Sequence, residues 1–310
     1  MSQCRGVLLM GPTAAGKTAA AMALVARFPL EIVSVDSAMV YRGMDIGTAK
    51  PSAAELQRAP HRLIDIRDPE QGYSVAEFLD DAREVMAEIR AAGRLPLLAG
   101  GTMMYFRALQ QGLSSLPNSD AGIRAELESE LHRAGSAALH QRLAGIDPAS
   151  AARIHHNDPQ RILRALEVYA ISGQPLSQLQ QQQNPALVGA DWLKISIEPR
   201  ERELLRQRIA LRFDSMLEAG FLDEVRRLRL RPGLRPDMPA MRAVGYRQAW
   251  QYLEGDFSKP RFRELAITAT RQLAKRQITW LRRETGVHRL EMESDTVTAS
   301  IDLLGRHLPS

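Results

Sequence analysis

The feature that most constrains the fold of this chain is an eight-residue loop near its N-terminus. The run Gly11-Pro12-Thr13-Ala14-Ala15-Gly16-Lys17-Thr18 fits the G-x-x-x-x-G-K-S/T pattern of a phosphate loop,. The apolar run 6–10 before it and the alanine-rich run 18–27 after it predict the strand and the helix that such a loop needs,. Its backbone N–H groups point at phosphate oxygens, Lys17 adds a positive charge, and we expect Thr18 to hold Mg²⁺. The loop therefore predicts a site for a diphosphate or polyphosphate group and leaves open which molecule carries it.

Strand-like and helix-like segments alternate through the first part of the chain. We predict strands at 6–10, 31–36, 61–66 and 95–99, a helix at 74–92, and a returning strand at 192–197,. This alternation predicts an α/β fold with a P-loop nucleoside-triphosphate-hydrolase-like core, in which helices flank a parallel sheet. Ligands of such sheets bind beyond the carboxyl ends of the strands. We therefore expect Asp36 and the run Gly100-Gly101-Thr102 to lie beside the phosphate loop.

A helical region interrupts this alternation. Between about 119 and 190 the strand signal is lost, and we predict helices at 123–133 and 160–171 followed by a polar connector at 178–183,. At 310 residues the chain exceeds the usual size of a single core,. We therefore predict a catalytic core formed by residues 1–118 and 191–310, and an all-helical insertion domain formed by 119–190. The core should close with helices near 202–217, 222–230 and 262–283.

Composition limits the class of protein. Cys4 is the only cysteine, which excludes an internal disulfide and a multi-cysteine zinc site,. No apolar run approaches the roughly 20 residues that span a bilayer, so we expect a cytoplasmic protein without a membrane partner. The formal charge of +5 and the isoelectric point near 9.6 suit a polyanionic partner larger than one nucleotide,.

The residues by themselves leave several interpretations open. Asp36 follows a predicted strand, where its carboxylate could ligate Mg²⁺ through water, accept a proton from a nucleophile, or form a turn,. Thr102 could line a channel or cap the following helix. The phosphate loop alone favours an ATP-dependent small-molecule kinase. A further alternative is an RNA-binding protein in which ATP or GTP orders a loop without covalent chemistry.

Five blocks in a fixed order carry a resemblance that spans nearly the whole chain. They are the phosphate loop with the run 36–51, Leu98–Tyr105, Asn157–Glu167, Met241–Gln248 and Thr270–Trp280. Together they resemble the tRNA dimethylallyltransferase family, also called tRNA isopentenyltransferases. The resemblance implies transfer of a dimethylallyl group from dimethylallyl diphosphate to N6 of the adenosine at position 37 of tRNA, next to the anticodon. It further implies Mg²⁺ as cofactor, the tRNA anticodon stem-loop as partner, and a monomer.

The same resemblance implies a role for individual residues. Asp36 takes the proton from N6, Thr102 lines the channel, and Lys17 stabilises the leaving diphosphate together with residues 11–18 and Arg242. The insertion domain contacts the anticodon loop, and the C-terminal helices bind tRNA. The implied tRNA contacts are Asp36, Ser37, Ala38, Met39, Thr102, Arg124, Gln160, Arg161, Ile162, Leu163, Arg164, Arg242, Ala243, Val244, Gly245, Tyr246, Arg247, Lys275, Arg276, Gln277, Ile278, Thr279, Trp280, Leu281 and Arg282.

Helical spacing gives the last predicted helix a cationic face. Arg271, Lys275 and Arg282 fall at positions i, i+4 and i+11, and therefore on one side,. The apolar residues gather on the other side, at Leu273, Ala274, Trp280 and Leu281. We predict that the cationic face runs along RNA phosphates, while a solvated helix face is the alternative. The same alternative applies to Arg161 and Arg164 in the insertion.

Overall fold

The computed structural model describes residues 4–114, 116–181 and 185–308. The chain forms two compact units, one comprising Met1–Leu109 with Val188–Ser310 and the other Gln110–Leu187. The second unit thus begins nine residues earlier and ends three residues earlier than the insertion predicted at 119–190. Residues 182 and 183 of the predicted polar connector lie outside the described residues.

A six-stranded parallel sheet forms the centre of the first unit. Its strands, in chain order, are β1 Val7–Met10, β2 Leu30–Val35, β3 His61–Arg62, β4 Leu95–Gly100, β5 Leu193–Glu198 and β6 His288–Glu291. The strand order is β3-β2-β4-β1-β5-β6, and each described pairing is parallel. All four residues of β1 are fully buried, as expected for a central strand covered by helices on both faces,. The predicted parallel sheet flanked by helices is confirmed.

The helices follow the strands in the order that a doubly wound fold requires. In chain order they are α1 Lys17–Arg27, α2 Ala53–Arg58, α3 Val75–Ala91, α4 Met103–Gln111, α5 Ala121–Ile146, α6 Pro148–Arg153, α7 Pro159–Ser172, α8 Leu176–Leu179, α9 Arg202–Glu218, α10 Phe221–Arg229, α11 Tyr246–Glu254, α12 Lys259–Leu281 and α13 Thr296–Gly305. A 3₁₀ turn, Ala240–Arg242, precedes α11. Within the described residues, no helix has both the length and the apolarity needed to cross a bilayer.

Two parts of the sheet differ from the sequence prediction. The strand predicted at 61–66 ends at Arg62, because Leu63 and Asp65 adopt positive φ angles of 63° and 55°. Such left-handed backbone cannot continue a strand. The edge strand β6, His288–Glu291, was not predicted, because its largely polar and exposed residues lack the apolar run that marks a buried strand,.

The second unit is a helical domain with its own hydrophobic core. Leu127, Leu139 and Leu143 of α5 pack together with Ile162, Leu166 and other apolar residues of α7. Helix α5 continues beyond the predicted 123–133, although Gly135, with φ 80° and ψ 165°, interrupts its helical geometry. The side chains of Ile162 and Leu163 are at most 3% exposed in this core. These side chains therefore stabilise the domain, and the assignment of the two residues as tRNA contacts stays a prediction.

Candidate active site

The phosphate loop joins the end of β1 to the start of α1. Gly16 precedes the helix with φ of 97°, a left-handed conformation that glycine adopts without steric cost,. Within the loop, the backbone N–H of Ala15 donates to the carbonyl of Pro12 at 3.3 Å, and Lys17 Nζ donates to the same carbonyl at 2.8 Å. The N-terminus of α1 therefore faces the loop, where its backbone dipoles favour an anion.

Two arginines that the sequence analysis did not assign lie beside this loop. Arg208 and Arg212 of α9 line a cavity of about 350 Å³ together with Lys17 and Thr18. Burial and the nearby Arg212 guanidinium lower the pKa of Lys17 to about 8, against a smaller opposing effect of Asp36. Burial also lowers the pKa of Arg212, and Asp36 opposes that shift. The loop is thus a concentrated cationic site, as binding of a diphosphate requires.

Asp36 and Thr102 meet because their strands are neighbours. Val35 at the end of β2 pairs with Gly100 at the end of β4. The Thr102 hydroxyl accepts a hydrogen bond from the backbone N–H of Ser37 at 3.0 Å and lies 3.4 Å from the Ser37 hydroxyl. Thr102 thus ties the two strand ends together, a role that neither sequence interpretation included.

The Asp36 side chain forms a turn and keeps one oxygen available. Its Oδ1 accepts hydrogen bonds from the backbone N–H groups of Ala38 at 2.8 Å and Met39 at 3.2 Å. The turn-forming interpretation is therefore correct for this oxygen. In the part of the chain that the structure describes, no hydrogen bond engages Oδ2. The turn fixes the orientation of the carboxylate without consuming it.

A cavity of about 420 Å³ lies at these strand ends. Its polar wall includes Thr13 and Asp36, and its apolar wall includes Phe213 and Met216. Residues at positions i and i+4 of α9, Arg208 and Arg212, face the phosphate loop. Their neighbours on the helix surface, Ile209, Phe213 and Met216, face the cavity. One helix therefore presents a cationic surface to the phosphate loop and an apolar surface to the adjoining cavity, and Arg212 lines both spaces.

Gln277 has a structural role in the walls of this cavity. The backbone N–H of Thr13 donates to Gln277 Oε1 at 2.9 Å, and Gln277 Nε2 donates to the carbonyl of Gly101 at 2.8 Å. The residue is 8% exposed. Both ends of its amide thus join the phosphate loop to the segment after β4, and its assignment as a direct tRNA contact stays a prediction.

The faces of α12 are more divided than the predicted cationic stripe. Arg276 and Trp280 line the main cavity, and Arg107 lies over the Trp280 ring at 5.7 Å. On another face, the predicted cations Arg271, Lys275 and Arg282 line a groove of about 410 Å³ between α9 and α12, as do Ile278 and Thr279. Leu281 is buried, so its side chain packs in the core, and its assignment as a tRNA contact stays a prediction.

The block 242–247 also divides into cavity-lining and buried residues. Arg242, Ala243, Val244 and Gly245 line the main cavity, and Arg242 and Arg247 are exposed. The Tyr246 ring borders the same cavity from a fully buried position, and its hydroxyl donates to Glu224 at 2.6 Å. An internal carboxylate thus already uses the Tyr246 hydroxyl, and the assignment of Tyr246 as a tRNA contact stays a prediction.

The polar residues predicted to contact tRNA from the second unit differ in whether other residues of the unit already bind their side chains. Arg164 donates to Glu167 at 2.9 Å and to the carbonyl of Pro117 at 2.7 Å, so it holds its own domain together. Arg124 is paired with Glu128 at 2.8 Å. Arg161 is 73% exposed and lies 3.3 Å from Asp158, and Gln160 beside it is also exposed. Gln160 and Arg161 are therefore the accessible residues of the predicted set.

The loop has donors suited to a metal ion that arrives with phosphate. Among the described residues, no group of three or more histidine, cysteine, aspartate or glutamate side chains could hold a metal. Mg²⁺ commonly binds one or two protein oxygens and completes its shell with substrate phosphates and water. Thr18 is exposed at the start of α1, and no described residue hydrogen-bonds its hydroxyl. This donor set fits phosphate-bound Mg²⁺ held by Thr18.

Comparison with known proteins identifies the family. A family model described as IPP transferase matches residues 39–284. The chain belongs to the IPP transferase family. A tRNA dimethylallyltransferase from Thioalkalivibrio sulfidiphilus is 55% identical over 302 residues, which cover 97% of this chain and 94% of the relative. One from Burkholderia mallei is 60% identical over 277 residues, which cover 88% and 86%.

Solved structures of the family share this fold. The tRNA isopentenylpyrophosphate transferase of Bacillus halodurans is 36% identical and superposes with a TM-score of 0.69, covering 98% of this chain and 97% of that protein. A eukaryotic dimethylallyltransferase acting on tRNA has a TM-score of 0.78 at 24% identity, covering 97% of this chain and 77% of that protein. At that identity the likeness shows the fold alone.

Proposed function

We propose that this family member transfers a dimethylallyl group from dimethylallyl diphosphate to N6 of the adenosine at position 37 of tRNA. The products are N6-isopentenyladenosine and diphosphate. The observation that carries the proposal is one cavity bordered by phosphate-loop residues Thr13 and Ala14 on one side and by Asp36 and Thr102 on another. A site for a leaving diphosphate therefore adjoins a carboxylate that can accept a proton.

The departure of diphosphate is the step that the cationic residues assist. As the allylic C–O bond weakens, the carbon gains carbocation character and negative charge grows on the diphosphate. Preorganised donors stabilise such charge best where it develops. The loop amides, Lys17, Arg212 and Arg242 supply these donors, and Arg208 adds a further charge. Mg²⁺ held by Thr18 would neutralise part of the diphosphate charge.

The adenine amine needs help as a nucleophile, because its lone pair is delocalised into the ring. The Asp36 carboxylate accepts the N6 proton as the new C–N bond forms. The hydrogen bonds to Oδ1 hold the carboxylate still while Oδ2 is available. The base must leave its stack to reach the cavity, and a single-stranded anticodon loop makes this inexpensive.

The anticodon stem-loop is the part of tRNA that we propose as the partner. The exposed cations of α12 and the accessible Gln160 and Arg161 of the second unit would contact its backbone and neighbouring bases,. We further propose that the protein acts as a monomer, as its resemblance to the family implies.

A labelling experiment separates this function from its alternatives. Unmodified tRNA is incubated with the protein, Mg²⁺ and labelled dimethylallyl diphosphate in the absence of ATP. The proposal expects label in the RNA. Transfer of label only from γ-labelled ATP to a small acceptor would instead identify a kinase, and RNA binding without transfer would identify a nucleotide-switched RNA-binding protein.

A further inference from the structure

Glu224 is a buried carboxylate that the proposed chemistry does not use. It lies in the first turn of α10 and is 2% exposed. Its Oε2 accepts hydrogen bonds from the backbone N–H groups of Asp45 at 2.9 Å and Ile46 at 2.7 Å. Its Oε1 accepts from the N–H of Gly47 at 3.1 Å and from the Tyr246 hydroxyl at 2.6 Å.

These four donors replace the water that a carboxylate loses on burial. No salt bridge to Glu224 occurs among the described residues, so backbone dipoles and one hydroxyl balance its charge,. Three successive N–H groups that converge on one anion form a concave binding site of recognised strength. The N-terminal position on α10 adds a favourable helix dipole. Burial and the Glu224 carboxylate raise the pKa of Tyr246 well above its usual value, so the phenol remains a donor.

The two segments that Glu224 joins both reach the main cavity. Gly47 and Thr48 line it from the segment after β2, and Tyr246 lines it from the start of α11. Their packing is close: a Cβ atom on Gly47 would lie 2.3 Å from the Phe221 ring and 2.6 Å from the Tyr246 ring. The Phe221 and Tyr246 rings pack edge to face, with centroids 5.1 Å apart. Glu224 itself does not line the cavity.

We propose that Glu224 is a positioning residue for prenyl transfer, which holds the turn at Asp45–Gly47 and Tyr246 in the arrangement that gives the cavity its reactive shape. The proposal rests on the function proposed above. A purely structural role would affect binding of both substrates alike. The phosphate loop makes no hydrogen bond to Glu224, so a positioning role predicts a selective effect. Loss of the carboxylate should therefore impair use of the RNA substrate and leave diphosphate binding intact.

The test compares Glu224→Gln with Asp223→Asn on the same helix turn. Asp223 is exposed and its carboxylate pairs with Arg226 at 2.5 Å, so it is a matched surface control. For E224Q we expect kcat/KM for tRNA to fall about 10- to 100-fold. The NH₂ group of the new glutamine side chain is a donor, so it cannot accept the hydrogen bonds that the replaced carboxylate oxygen accepted. Affinity for inorganic diphosphate should stay at the wild-type value. Amide hydrogen exchange at residues 45–47 should accelerate, and D223N should match wild type throughout.

Tyr246→Phe provides a second variant that removes one of the four hydrogen bonds. It should lower kcat/KM for tRNA by less than E224Q, and the two effects should not add in the double variant, because both act on one network. This variant keeps the proposal testable if E224Q folds poorly.

Two results would overturn the proposal. Wild-type kinetics and exchange rates in E224Q would show that the network does not shape the cavity. A parallel loss of thermal stability, diphosphate affinity and transfer in both E224Q and Y246F would show a role in folding only. Wild-type protein that transfers no label to tRNA would overturn the proposed function itself, so the two failures are distinguishable.

Discussion

The phosphate loop and helix α12 both border the main cavity, yet their sequences differ in how directly they indicate their contacts. In the loop, the backbone of eight consecutive residues sets the geometry, and Gly16 and Lys17 have the conformations and contacts that such a motif needs,. In α12, Gln277 is buried, Trp280 faces the cavity, and Lys275 faces a separate groove. A self-contained backbone motif can be interpreted locally, whereas the role of each helix face depends on the elements that pack against it.

The largest expected effect tests the carboxylate opposite the loop. Asp36→Asn retains an oxygen that can accept from Ala38 and Met39, but it removes the proton acceptor. We expect kcat to fall about 10²- to 10⁴-fold, the usual contribution of a general base. Binding of tRNA, measured by filter retention, should be unchanged. Full activity of the asparagine variant would assign Asp36 to the turn alone.

The next effect concerns the arginine that extends the cationic site of the loop. Arg212→Ala removes a charge beside Lys17 and should lower kcat/KM for dimethylallyl diphosphate about 10²- to 10³-fold,. Arg261→Ala is the control, because Arg261 is an exposed arginine paired with Glu264. Steady-state kinetics with both variants checks this. Equal behaviour of the two would remove α9 from the diphosphate site.

A smaller effect follows from the protonation of Lys17. Its lowered pKa of about 8 means that the ammonium is present below that pH and is lost above it in the free protein. Bound diphosphate favours the charged form, so binding above pH 8 must take up a proton. The contribution of Lys17 to diphosphate affinity should be nearly constant below pH 7 and fall by up to about tenfold per pH unit above 8. Calorimetry across this range should show a weaker pH dependence of diphosphate affinity for Lys17→Arg than for the wild type. The same pH dependence in both proteins would contradict the role given to Lys17 protonation.

The smallest effect tests the outer groove beside α12. Replacing Lys275 and Arg282 with alanine removes two exposed cations from that groove. If both contact RNA phosphates, the affinity for tRNA should fall modestly and the slope of log K against log salt should decrease in magnitude by about 1.4. The variant Lys259→Ala, at the far end of the same helix, should keep the wild-type slope. An unchanged slope in the double variant would make this face a solvated surface.

Short apolar runs and the phosphate loop predicted the parallel sheet, apart from its edge strand β6, and several of the helices beside it. The family prediction from the five sequence blocks is also confirmed. Local conformation set the limit elsewhere. Leu63 and Asp65 adopt left-handed backbone without a glycine to signal it, and the polar strand β6 resembles a surface segment. Helices α11 and α13 were not predicted either, since neither follows the phosphate loop or a predicted strand.

The candidate site was harder to predict than the fold, because long-range contacts determine which side chains are accessible. The arginine-rich character of α9 was visible, but only its packing places Arg208 and Arg212 beside the loop. Glu224 accepts hydrogen bonds from backbone N–H groups that lie 177 to 179 residues away in the sequence. Nothing in the sequence around Glu224 indicates these partners. Gln277 likewise gained a structural role through contacts with Thr13 and Gly101. The remaining site assignments stay predictions.

The most direct measurement of the central claim is the position of label in RNA. Two anticodon stem-loop transcripts that differ only in adenosine or guanosine at position 37 are incubated with labelled dimethylallyl diphosphate and Mg²⁺, then digested to nucleosides for mass spectrometry. The account predicts one dimethylallyl group per adenosine-37 transcript, on N6, with release of diphosphate and no labelling of the guanosine transcript. Equal labelling of both transcripts, or none of either, would contradict it.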